Sequence, residues 1–136
     1  MTDINAAISA AASGMRAQTV RMRIAAENVA NASSTGTDPN AEPFRRRIPL
    51  LESTTLTSGA QGVRVRGAAF DMSQFREEYN PSHPAAGEDG YVRLPNVDTL
   101  VEMMDLREAT RAYEANLNMI EAARTMTNRA LDLLRR

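Results

Sequence analysis

The sequence predicts a mainly α protein with a small β insert. Long N- and C-terminal helices pair as an antiparallel coiled coil, and a β-hairpin and extended loops lie between them. Three observations lead there. Apolar residues recur at alternating steps of three and four near both ends, the spacing of a helical seam. All six prolines and six of the seven glycines fall between positions 35 and 95, so the breakers are confined to the middle. Aromatic residues make up 4% of the chain and there is no tryptophan, too little bulk to fill the core of a compact globule. Alanine- and methionine-lined helices that approach closely fit this composition.

The first segment, residues 1–34, reads as the N-terminal helix of the pair. Its seam is Ile4, Ile8, Ala11, Met15, Met22, Ala25 and Val29, with Gln18 in the one polar slot. Alanines crowd the intervening positions and favour helix. Gly14 weakens the middle by roughly 1 kcal/mol relative to alanine, which points to a bend or a close contact there. The run Asn31-Ala32-Ser33-Ser34-Thr35-Gly36, with Pro39 shortly after it, ends the helix.

Residues 35–95 form the insert, which holds five of the six aromatic residues. Phe44–Glu52, with arginines interleaved among apolar positions, and the alternating Val63-Arg64-Val65-Arg66 read as two strands of one hairpin, joined across the polar stretch Ser53–Gln61. Phe70, Phe75 and Tyr79 are expected beneath it, and Asn80–Gly90 is loop.

Residues 96–136 form the C-terminal helix, with Asn96 as N-cap and Asp98 and Glu102 near the positive end of its dipole. Its seam is Met103, Leu106, Thr110, Tyr113, Leu117, Ile120, Thr127, Leu131 and Leu134, interrupted by Arg124. Glu108–Arg111, Glu121–Arg124 and Asp132–Arg136 have the spacing of helical ion pairs. A second stripe, Ala112, Met119, Met126 and Leu133, runs beside the seam at sevenfold spacing. Nothing within the chain is available to cover it, so Met119 and Met126 are candidate contacts to a neighbouring molecule. Arg45, Arg46 and His83 join them as candidates, the arginines because Arg45-Arg46-Arg47 reads as an exposed or intersubunit face of the hairpin.

The same residues exclude most chemistry. Net charge is −1, and all sixteen basic residues are arginine, a residue suited to interfaces. No nucleic-acid partner and no small-molecule substrate are expected, because no aromatic stacking platform accompanies the arginines. With no cysteine and one histidine, thiolate sites and a catalytic triad are unsupported. No phosphate-binding loop, HExxH or calcium loop is present, so no cofactor or metal is expected and no catalysis either. The N-terminus lacks the charged and apolar regions of a cleaved secretory signal, and no apolar run is long enough to span a bilayer.

Ala12-Ser13-Gly14-Met15-Arg16-Ala17-Gln18, Arg21-Met22 and Ile24-Ala25-Ala26-Glu27-Asn28-Val29-Ala30-Asn31 resemble the N-terminal signature of the flagellar rod and hook proteins, and Pro43-Phe44-Arg45-Arg46 matches the family's stretch just beyond that signature. Val101-Glu102-Met103-Met104 and Ala109-Thr110-Arg111-Ala112-Tyr113-Glu114-Ala115-Asn116 resemble that family's C-terminal helix. The loop Asn80-Pro81-Ser82-His83-Pro84 with Gly90–Val97 looks like the short proximal-rod members. The resemblance implies a structural subunit of the bacterial flagellar basal body. It would be exported unfolded by the flagellar type III apparatus without a cleaved signal, and would polymerise helically with itself and other rod proteins into the periplasmic drive shaft. Another short rod subunit is the alternative, and a cytosolic helical adaptor using the same faces is a more distant one.

Overall fold

A computed structural model describes residues 2–135. Helix α1 (Thr2–Ala30) leads into strand β1 (Arg47–Thr55). Strands β2 (Gln61–Phe70), β3 (Arg76–Tyr79) and β4 (Tyr91–Leu94) come next, then helix α2 (Thr99–Leu134). Two long helices pack against each other, and the β part consists of two separate antiparallel hairpins, β1–β2 and β3–β4.

The central element is α1, with α2 along one side and the β1–β2 hairpin along another. The helices run antiparallel. Asn28 meets Glu102, Met22 meets Thr110, and Gly14 lies against Asn116. At Gly14 the approach is close: a Cβ there would sit 2.7 Å from the Asn116 amide nitrogen. The sequence signal of a weak helical position is therefore explained by contact, with the helix continuing through it. The core is made of small side chains, with Ala11, Ala17, Ala25, Ala109 and Ala123 all buried. Lengthening a side chain between such closely spaced helices forces them apart. Ala109→Leu, at a position with 0% exposure, is expected to lower stability by about 1–3 kcal/mol in urea unfolding monitored by circular dichroism.

Burial along α2 selects Glu102, Leu106, Ala109, Tyr113, Asn116, Ile120, Ala123 and Thr127 as its inner face. Leu106, Tyr113, Ile120 and Thr127 coincide with the seam read from sequence. At the alternate positions the inner residue is one earlier: Glu102 for Met103, Ala109 for Thr110, Asn116 for Leu117, Ala123 for Arg124. Apolar size misleads here because α1 presents Gly14 and alanines, which admit small or hydrogen-bonding partners and turn the bulky side chains aside. Among the described residues the Glu108–Arg111 and Glu121–Arg124 pairs do not form, and Arg136 of the Asp132–Arg136 pair lies outside the described residues. Glu108 instead reaches Arg21 of α1 at 3.9 Å.

The other side of α1 carries the β1–β2 hairpin. The Ser13 hydroxyl accepts the Val63 amide N–H at 3.2 Å, and Ser9 and Ser58 hydroxyls are 2.6 Å apart at the hairpin tip. Gly62 permits this, since a Cβ would lie 2.7 Å from the Ser13 oxygen. Strand β1 starts at Arg47, later than the expected Phe44, and runs past Glu52 to Thr55, while β2 extends Val63–Arg66 at both ends, so the expected turn Ser53–Gln61 shrinks to Leu56–Ala60. There Gly59 takes φ +80° and the Leu56 N–H donates to the Ala60 carbonyl.

The second hairpin has no counterpart in the sequence reading. Tyr79 and Tyr91 pair edge to face across it with centroids 5.3 Å apart, and Asn80–Gly90 links the strands as loop. Phe70 and Tyr79 do not pack beneath the first hairpin; both are largely exposed. Phase of the side chains explains it: Phe70 ends β2 on the outward parity, and Tyr79 belongs to a two-stranded ribbon with no layer over it. Asn96 is not the N-cap of α2. Asp98 is, accepting the Leu100 N–H at 2.9 Å, while Asn96 is engaged elsewhere.

Candidate assembly surface and the polar clasp behind it

Where α1 ends, β1 begins and α2 starts, a polar cluster joins all three. Glu102 is 1% exposed, yet carries a carboxylate on the inner face of α2. Burial of such a group is costly unless it is paired and hydrogen-bonded. Here one oxygen receives the Asn28 amide at 3.1 Å and the other pairs with the Arg46 guanidinium. Arg46 also reaches Asp71 at 3.4 Å and Asp105 at 3.5 Å. Burial opposes the Arg46 charge, but the Glu102 and Asp71 carboxylates overcome it and raise the Arg46 pKa. Asn28 holds β1 as well. It donates to the Arg47 carbonyl at 2.9 Å and accepts the Arg47 N–H at 3.0 Å.

Asn96 extends the clasp to the end of β2. Its side-chain oxygen accepts the Arg46 N–H at 2.8 Å, and its amide donates to the Asp71 carbonyl at 2.8 Å and the Ser73 hydroxyl at 3.0 Å. Arg76 fastens the second hairpin, donating to the carbonyls of Ala32, just after α1, and Pro95. The angle between the helices and the β part is thus set by side-chain hydrogen bonds more than by apolar packing.

The clasp has an acid-sensitive member. The Ser73 N–H and hydroxyl, and secondarily Arg46, hold the Asp71 carboxyl below the usual aspartate value of 3.8. A depressed folded-state pKa contributes stability above 3.8 that is lost as pH falls through the lowered value. Asp71→Asn is therefore expected to flatten the acid limb of the stability profile below pH 3.8 relative to the parent chain, read by thermal melts from pH 2 to 6.

Two arginines expected to face a neighbour are occupied within the chain. Arg46 is the centre of the clasp. Arg45 lies over the Phe75 ring at 4.2 Å and donates to the Asp71 carbonyl at 3.0 Å. His83 shapes its own loop, its Nδ1 accepting the Ala85 N–H at 3.0 Å. Of the N-terminal seam residues, Ala11 is buried and Ile4, Ile8, Met15, Met22 and Val29 are half-buried. On α2, Leu106, Tyr113 and Ile120 are half-buried, whereas Met103, Leu117, Leu131 and Leu134 are exposed.

The exposed residues form a pattern. Met103, Leu117 and Leu131 flank the inner face of α2 on one side. Met119, Met126 and Leu133 flank it on the other, at sevenfold spacing, and all six are open. The helix is also longer than its partner, with 36 residues against 29. Continuing the observed pairing one residue for one brings the start of α1 opposite about residue 128 of α2. The final turns of α2, with Leu131, Leu133 and Leu134, extend past it.

The clasp residues Asn28, Glu102, Asp71 and Asn96 escape a reading by hydrophobic periodicity. Their one signal is that Asn28 and Glu102 occupy positions in phase with Ala25 and Leu106, where a core residue is due. Among the described residues no group of three or more His, Asp or Glu side chains gathers as a metal site.

Paired terminal helices around a β insert, fixed by a polar clasp and carrying open apolar stripes, define a structural subunit of the axial type. The family described as "Flagellar basal body rod FlgEFG protein C-terminal" matches residues 88–133. The flagellar basal-body rod protein FlgC of Agrobacterium fabrum is 43% identical over 99% of this chain and 98% of its own length. FlgC of Aquifex aeolicus is 37% identical over 97% of this chain and 98% of its own, and FlgC of Bacillus subtilis 37% over 93% and 95%. The chain belongs to the FlgC family of flagellar basal-body rod proteins.

Proposed function

We propose that the chain is a structural subunit of the bacterial flagellar basal-body rod. In this reading it occupies the proximal rod and polymerises helically through its terminal helices, with itself and other rod proteins, as part of the periplasmic drive shaft. The observation that carries the mechanical part is the pair of open apolar stripes on α2, continuous with its contact to α1. Apolar stripes of this extent are covered in a stable protein, and a lattice of like subunits covers them repeatedly. The α1–α2 pair then acts as a coiled coil whose seam extends into neighbouring subunits. Met103, Leu117, Leu131 and Leu134 complete that seam, and Met119 and Met126 meet other neighbours. Family membership also supports export through the flagellar type III apparatus without a cleaved signal.

Fractionation tests the reading. In a strain lacking its own copy, the epitope-tagged chain should copurify with hook–basal bodies and restore motility. A tagged chain that restores motility while remaining wholly in the soluble cytosolic fraction would count against it.

A further inference from the structure

Methionine is concentrated where this chain is open. Met119 is 54% exposed and Met126 61%, on the same flank of α2, whereas Met15 and Met22 of α1 are half-buried, Met22 with its sulfur against the Thr110 hydroxyl at 3.5 Å. A thioether is apolar and soft, which suits an adaptable contact, but exposed methionine is also open to two-electron oxidants. We propose that Met119 and Met126 are an oxidative modification site of the free subunit, and that their conversion to sulfoxide by a peroxide-class oxidant prevents the stripe from being covered. The second part of this rests on the rod reading above.

The chemistry needs only hydrogen peroxide. A sulfur lone pair attacks one peroxide oxygen, the S–O bond forms and the O–O bond breaks. The proton of the transferred oxygen passes to the departing hydroxide, giving water. Sulfur is oxidised by two electrons and the peroxide is reduced by two. The product replaces an apolar side chain by a strong hydrogen-bond acceptor. Covering that acceptor without a donor is unfavourable, and two such groups seven residues apart lie on one contact line. A subunit already in place shields both sulfurs, so only free subunits are marked.

Two measurements test this. In the purified full chain treated with hydrogen peroxide, peptide mass mapping should show Met119 and Met126 oxidised roughly fivefold faster than Met22. Equal rates overturn the assignment of the site, whatever the chain assembles into. In cells, the chain and its M119L/M126L variant are induced with and without sublethal peroxide, and each is scored as the ratio of treated to untreated incorporation into hook–basal bodies. The parent ratio should fall several-fold and the variant ratio clearly less. M72L, which removes an exposed methionine that lies outside α2, should behave like the parent. Equal ratios for parent and M119L/M126L overturn the proposal. Absence of the parent from basal bodies without peroxide overturns the rod reading instead.

Discussion

Glu102→Ala is expected to lower the unfolding free energy by about 2–3 kcal/mol, because it removes the closest carboxylate from a mostly buried guanidinium, which keeps Asp71 and Asp105, and one of the two acceptors of the Asn28 amide. A domain of this size has about 5–15 kcal/mol in total, so the substitution removes a large share of the stability. Urea unfolding monitored by circular dichroism measures it. The effect comes from leaving Arg46 without its closest carboxylate, with Asp71 and Asp105 still in reach, and not from any large net value of the pair. Replacing both partners, as Arg46→Leu with Glu102→Leu, should therefore cost much less than Glu102→Ala alone. A Glu102→Ala loss below about 1 kcal/mol would mean that Asp71, Asp105 and water fully relieve Arg46 and that Glu102 does not hold the helices to the β part.

The second large effect separates assembly from folding. Deleting Thr127–Arg136 removes Thr127, the last inner-face residue, and the turns of α2 that reach past the start of α1, including Leu131 and Leu134, both exposed. Surface loss of this kind touches little of the intrachain core, so the thermal midpoint should shift by only a few degrees. Incorporation into basal bodies and swimming should be lost. A truncated chain that still supports normal motility would show that the overhang is not a contact. One that unfolds instead would show that its turns stabilise the monomer.

Both long helices are legible in the sequence because their signal is local: alanine-rich runs, three-and-four spacing and a breaker cluster confined to the middle. The first hairpin is legible from Val63–Arg66, although its length is not, since a tight turn at Gly59 lets pairing continue almost to the tip. The second hairpin is hidden because Arg76-Glu77-Glu78-Tyr79 is exposed throughout and carries no alternation. The inner face of α2 is hidden for another reason. Hydrophobic size points to Met103 and Leu117, but α1 offers glycine and alanine, and the closest fit to those is Ala109, Asn116 and Ala123. Arg46 and Asn96 defeat local reading altogether. Their partners lie 56 and 25 residues away, and only the closed fold brings a basic run and a residue with helix-cap chemistry into one cluster.

The open stripes of α2 become meaningful through the family to which the chain belongs. In isolation they are apolar surface beside a helix pair; in the reading proposed above they are the lines along which subunits meet in a rod. A density map of isolated hook–basal bodies containing this chain tests that most directly. The account predicts the chain in a rod layer, with Met119, Met126 and Leu133 packed against neighbouring subunits. A rod in which that flank of α2 faces solvent, or from which the chain is absent, would contradict it.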